Sequence, residues 1–219
     1  MKWSRAVHHL EELANTCSDM AGRPATIFPL RVTELWAFGD VLTNGVQTNH
    51  VNTNNTHHVQ TDHVQTQRDD LETLQVALAV ELPVEDVAWL CHPAGAEHWA
   101  HATRLSKNPV LALWRSQRAP VWNHCIHRPL LIWSKSSGIA AEALAALRDG
   151  TAETLRLPEP TPAEMQARLE AELATSHQAL ETATATYEQR RFSPGKVEPV
   201  ADRLWRAAQG YLDVLAATR

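Results

Sequence analysis

Glycine is scarce, with eight residues in 219. That leaves no run able to form a P-loop or a dinucleotide-binding fingerprint, both of which need several glycines at fixed spacing. A GxSxG nucleophile elbow is also missing, and no Ser or Cys can be assigned a His–Asp pair that would activate it. Cysteine occurs only as Cys17, Cys91 and Cys125. This odd, widely spaced set fits no disulfide framework and agrees with a reducing cytoplasmic setting. No segment approaches the ~18–20 apolar residues of a membrane span. The amphipathic start, MKWSRAVHHLEELA, lacks the apolar core of a secretory signal. Lys is rare beside Arg, four against sixteen, which is the coding habit of a GC-rich genome and carries no mechanism. The sharpest absence is local. From residue 98 to 141 there is no Asp or Glu, so Arg104, Lys107, Arg115, Arg118, Arg128 and Lys135 give that stretch a charge of +6, against −11 for the rest of the chain.

What is present reads as an α+β or α/β chain: a small mixed sheet with flanking helices, followed by a C-terminal helical hairpin. Trp3, Val7, Leu10, Ala14, Cys17 and Met20 recur at helical spacing, and Gly22 and Pro24 stop that helix. Residues 30–38 read as a strand, and 71–82 as a central strand ended by Pro83. A short helix is expected over 83–91 and another over 95–105. Strands are expected at 110–114 and 129–133, and an Ala-rich helix over 138–148. Trp114, Trp122 and Trp133 are expected to be core residues of strands. Thr161-Pro162-Ala163-Glu164 is a capping box opening a helix to about Arg191. A last helix over 199–217 is expected to bury Val200, Leu204, Trp205, Ala208, Leu212 and Leu215. The division that follows is an α/β domain over 1–157 and a helical hairpin over 161–218, with PEP at 158–160 as the hinge.

Residues 43–68 stand apart. VQTNH, VNTNN, VQTDH and VQTQR form a degenerate five-residue repeat. With one valine per unit, it buries too little apolar surface to offset its ordering entropy, so a flexible insertion is expected. Its four histidines imply no fixed ligand geometry. Further along, Cys91, His98, His101, His124, Cys125 and His127 crowd together without the CxxC or HxxxH spacing of a structural zinc site.

Two sets of residues could carry function. The first is Gly39-Asp40, then, once the repeat is set aside, Asp70-Leu71-Glu72 at the mouth of the central strand. Carboxylates one residue apart on a strand share a face and can hold a divalent metal against phosphates. This pattern resembles the nucleotidyltransferase superfamily, with its apolar-Gly turn, spacer and Asp-x-[Asp/Glu], and the helical hairpin resembles the appendage of those enzymes. The resemblance implies Asp70 and Glu72 as ligands of Mg²⁺, and Gly39 as the point where a phosphate approaches the backbone. It departs at Asp40, and at the absence of an acid in 129–133, which implies a degenerate member. The segments WAFGD (36–40), HWAHATRLSKNP (98–109), PVWNH (120–124) and EPVADRLWRAAQGYLDVL (198–215) are also similar to an uncharacterised family of actinobacterial proteins.

The second set is the acid-free stretch. Arg104, Lys107, Asn108, Arg115, Arg118, Asn123, His124 and Arg128 are candidate ligand-binding residues, with Arg115, Arg118, Asn123, His124 and Arg128 expected to converge on one anion. The expected function is binding of a nucleotide or another phosphorylated ligand by a degenerate nucleotidyltransferase-like domain. The alternative is a non-enzymatic interaction module whose helical hairpin, with Trp205 and Tyr211, meets a protein partner or a second copy. A net charge of −5 argues against broad nucleic-acid binding.

Overall fold

The apolar spacing at the N-terminus does produce a helix. In the computed structural model, which describes residues 1–43, 71–105, 109–193 and 197–219, α1 runs over Trp3–Ala21 and buries Ala6, Val7, Leu10, Leu13, Ala14 and Cys17. Its first turn is tied down by the Trp3 indole, which donates to the Val41 carbonyl at 3.0 Å. The β-branched and aromatic run that follows forms β1, Val32–Phe38, and the short helix α2, Asp40–Thr43, comes directly after it. The pentad repeat lies outside the described residues, as do Asp70, Lys107 and Asn108.

Past the repeat come β2 (Leu74–Val80), α3 (Ala96–Ala102), β3 (Val110–Ser116), β4 (Leu130–Ser134), β5 (Gly138–Ile139) and α4 (Ala141–Arg148). The strands form one mixed sheet in the order β3-β2-β1-β4-β5, with β2 and β3 parallel and the other pairs antiparallel. The parallel pair needs a crossover, and residues 81–109, with α3 inside them, supply it.

Side chains alternate across the sheet, so it has two apolar faces. Leu35, Val76, Leu78 and Ile132 pack with α1, α3 and α4, and Trp99 of α3 meets Trp114 edge to face at 5.7 Å. Trp36, Phe38, Ala77 and Leu113 point the other way. Each fully buried Leu or Ile in such a core contributes about 1.5–3 kcal/mol relative to exposure. The second face is covered by α5 (Pro162–Arg190) and α6 (Val197–Ala217), through Leu169 and Val214. The two helices run antiparallel, since His177 meets Tyr211 while Ala183 lies near Ala207 and Arg203. The capping box forms as expected: Thr161 Oγ1 accepts from the Glu164 amide at 3.3 Å, and Glu164 accepts from the Thr161 amide at 2.8 Å. Among the described residues, no helix is long and apolar enough to cross a membrane.

Four expectations need correction. Residues 83–91 form only a 3₁₀ turn over Val84–Val87, because Ala88 is extended and Leu90 is left-handed (φ 59°). Gly138 and Ile139 pair with β4 instead of opening α4, which Gly138 permits by taking φ 77°. Trp122 is half-buried outside any strand. The buried face of α6 is Val200, Ala207, Gly210 and Val214, while Trp205 and Leu212 are 59% and 54% exposed. Small residues decide that face: a Cβ at Gly210 would lie 2.0 Å from the Trp89 carbonyl oxygen, so only glycine lets α6 approach that loop.

Candidate functional site

The antiparallel pairing of Phe38 with Gln75 brings Gly39 and Glu72 to one end of the sheet. Pro109 accepts from the Leu74 amide at 2.9 Å, so the chain leading from Arg104 into β3 arrives at that end too. Gly39 has φ 71°, and the position of its absent Cβ is taken by the Gln75 side chain, whose Oε1 lies 1.6 Å from it. The space above this glycine is therefore filled from within the fold. Glu72 is exposed and belongs to no cluster of three or more metal-ligating side chains among the described residues. β3 and β4 carry no acid.

The basic stretch divides. Arg128 bonds to Glu153 and donates to the Leu157 carbonyl at 3.2 Å, which fastens it to the segment entering α5. Arg118 is exposed and, among the described residues, forms no ion pair. Arg104 is exposed in a left-handed turn after α3. Arg115, Asn123 and His124 do meet around one anion, and that anion is Glu172 of α5. Arg115 bonds to Glu172, Asn123 Nδ2 donates to its Oε2 at 3.0 Å, and Arg168 Nη2 reaches its Oε1 at 2.9 Å. His124 Nδ1 stands 4.0 Å from Oε2. Asn123 is fully buried, and its Oδ1 accepts from the Cys125 and Ile126 amides, which sets the loop that presents His124 and Cys125. Arg115 Nε, Arg168 Nε and His124 Nδ1 are buried with no hydrogen-bond partner among the described residues. Burial, together with the neighbouring Arg115, pushes the Arg168 guanidinium down to about 10.

The network continues outward to Asp213 of α6. Its Oδ2 accepts from the Trp89 indole at 2.6 Å and lies 3.0 Å from His124 Nε2 and 3.8 Å from Cys125 Sγ. Burial opposes ionisation of Asp213, but the bonds from His124 and Trp89 outweigh it and hold the carboxyl below its ordinary value. Burial first, then the Asp213 charge, push the Cys125 thiol up to about 12. Arg115 sits over the Trp89 ring at 5.4 Å, joining the inner and outer parts.

Beside this network, the loop 82–95 and the helical pair border a cavity of about 660 Å³. Leu30, Ala88, Ala179 and Ala207 give it apolar walls, and Glu85 and Arg203 give it charge. A second cavity of about 370 Å³ adjoins it through Cys91–Gly95 and Arg203. There Arg206 bonds to Asp202 at 2.8 Å and to His92 Nε2 at 3.2 Å, whereas Arg203 has no hydrogen-bond or ion-pair partner among the described residues. Burial, and then Arg206, hold the His92 imidazole below its ordinary pKa.

A family model described as a domain of unknown function (DUF7711) matches residues 1–64 and 54–219. The chain belongs to the DUF7711 family. The two matched segments of this DUF7711 chain overlap at 54–64, inside the pentad repeat. No curated protein and no solved structure matches the chain.

Several of the residues that build the site in this DUF7711 chain escape a reading by motif. Glu172, Arg168, Asp213 and Trp89 come from three separate elements, which only folding brings together. One signal was available. Leu169, Glu172, Ser176 and Ala183 follow one helical stripe, and a Glu on an otherwise apolar or small stripe needs a buried cation.

Proposed function

We propose that this DUF7711 chain is a ligand-binding protein built on a degenerate nucleotidyltransferase-like domain, and that it takes a nucleotide or another phosphorylated small molecule in the cleft between the loop 82–95 and the helical pair. One observation carries the reading: a cavity of about 660 Å³ bordered by Arg203, whose guanidinium is not engaged by any described side chain. Ligand pockets of about 300–1,000 Å³ with a few placed polar groups on apolar walls are the usual form of small-molecule sites. Arg suits a phosphate because its planar fork donates in pairs. The degenerate character is supported by Gln75 filling the space above Gly39 and by the lack of an acid on β3 and β4.

A thermal-shift panel of nucleotides and sugar phosphates, with and without Mg²⁺, tests this reading. A ligand at about a hundred times its Kd adds about 2.7 kcal/mol by mass action. For a chain of this size, that is a midpoint rise of roughly 5–11 °C. Arg203→Ala should remove most of the rise. A flat panel at millimolar ligand overturns the reading.

One observation favours a second reading, contact with another protein chain through the helical pair. Trp205 and Leu212 lie seven residues apart on α6, share a face and are more than half exposed. Sedimentation of the wild type and of Trp205→Ala decides it: a dimer that the substitution dissociates supports it, and a monomer in both leaves the helices as a cover for the sheet.

A further inference from the structure

His124, Cys125 and Asp213 each offer a ligand atom, and these atoms lie within 4.8 Å of one another. They are the only group of three or more metal-ligating side chains found among the described residues. A zinc ion bound at about 2.0–2.3 Å by nitrogen, oxygen and sulfur sets its tetrahedral ligands roughly 3.3–3.7 Å apart. The separations are 3.0 Å from His124 Nε2 to Asp213 Oδ2 and 3.8 Å from Cys125 Sγ to the same oxygen. Shifts of a few tenths of an ångström would bring these two separations to the edges zinc sets, and the third, His124 to Cys125, lies within 4.8 Å.

The surroundings suit an ion as well. The Trp89 indole fixes Asp213 Oδ2 from the protein side. His124 Nδ1 is buried without a hydrogen-bond partner among the described residues, and Glu172 Oε2 lies 4.0 Å away. A histidine that gives Nε2 to a metal carries its proton on Nδ1, and an outer carboxylate is the usual acceptor for it. The one unpaired atom of this histidine therefore faces the group it would need once Nε2 is taken. Cys125 and Asp213 are exposed at the rim, which leaves a fourth coordination position open to water.

We propose that His124, Cys125 and Asp213 form a binding site for a divalent transition metal of zinc type, with Glu172 as the outer carboxylate that orients His124. Thiolate with imidazole selects zinc or cobalt over Mg²⁺ or Ca²⁺, which prefer all-oxygen sites. Coordination replaces the Cys125 S–H proton, which goes to solvent. A thiolate and a carboxylate then balance the 2+ charge, while Glu172 stands between the ion and the guanidinium of Arg115.

The test is a titration of the metal-free full chain with Co²⁺, read by thiolate-to-cobalt charge-transfer absorption and tetrahedral d–d bands. Zn²⁺ is then added as a competitor. The expected result is one equivalent of Co²⁺ with both signals, displaced by Zn²⁺. Cys125→Ser should abolish the charge-transfer band, His124→Gln should weaken binding at least tenfold, and Cys91→Ser should change neither. Substituting His50, His57, His58 and His63 by Gln should leave the band intact, which separates this site from the histidines of the repeat. The absence of a charge-transfer band, its survival in Cys125→Ser, or its loss in Cys91→Ser overturns the proposal. Circular dichroism of each variant confirms the fold.

Discussion

Glu172→Ala should be among the most damaging single substitutions in the chain. Glu172 is 6% exposed and holds Arg115, Arg168 and Asn123 at once. Arg115 is 3% exposed, so water cannot readily replace the lost carboxylate. Removing one partner from a buried ion pair costs about 3–5 kcal/mol, because the remaining charge stays desolvated. The orphaned Asn123 amide adds to that loss without adding in full, since the groups form one network. Total stability of about 5–15 kcal/mol makes this a large fraction. The midpoint should fall by roughly 6–20 °C, at about 2–4 °C per kcal/mol for a chain this long. Urea unfolding followed by tryptophan fluorescence and far-UV circular dichroism measures the change, and coincident transitions license the free energies. Glu172→Gln, which keeps the shape and one acceptor, should lose less. A double cycle with Arg115→Ala should show coupling above about 1 kcal/mol, little altered by salt because the pair is buried. A loss below about 1 kcal/mol for Glu172→Ala, or no coupling, would refute the reasoning: the guanidiniums would then be finding water.

Further outcomes follow from the same structure. Gly210→Ala should destabilise by about 1–3 kcal/mol through overpacking against the Trp89 carbonyl, although alanine is the better helix former by about 1 kcal/mol; a denaturation midpoint at or above wild type would show that α6 can move off the loop. Trp205→Ala should change monomer stability by less than about 0.5 kcal/mol, since the side chain packs little. Deleting residues 44–67 should leave a folded chain, because β1 and β2 are antiparallel neighbours and a short turn can join them; a product without cooperative melting would show that the segment is structural. His92 has a folded-state pKa below its ordinary 6.5, from burial first and then Arg206. Its contribution is therefore present above about 6.5 and is lost as pH falls through the folded value. Midpoints at pH 7.5 and pH 5 should differ less in His92→Gln than in wild type, and an unchanged difference would count against this assignment.

Helix and strand placement was largely legible because it rests on local pattern. The 3.6-residue spacing of Val7, Leu10, Ala14 and Cys17 gave α1. The Thr161–Glu164 box gave the start of α5. The apolar run before Pro83 gave β2. The face of α6 was not legible. The pattern in that helix offers Trp205 and Leu212 as readily as Ala207 and Gly210, and hydrophobicity favours the larger pair. Close approach to the Trp89 backbone, with Asp213 reaching Trp89 and His124, selected the smaller one.

The acid-free stretch divides along the same line. Composition by itself established that residues 98–141 hold six cations and no acid, so any carboxylate that answers them comes from elsewhere in the chain. Which carboxylates answer was decided by packing. Glu172 and Glu153 lie 57 and 25 residues beyond the arginines they meet, on segments that the helical pair and its entry lay against the sheet. Spacing in sequence carries no information about such pairs, because their geometry exists only once both apolar faces of the sheet are covered. The sequence determined the elements and the charge imbalance, and tertiary structure turned part of that imbalance into a buried network with His124, Cys125 and Asp213 at its rim.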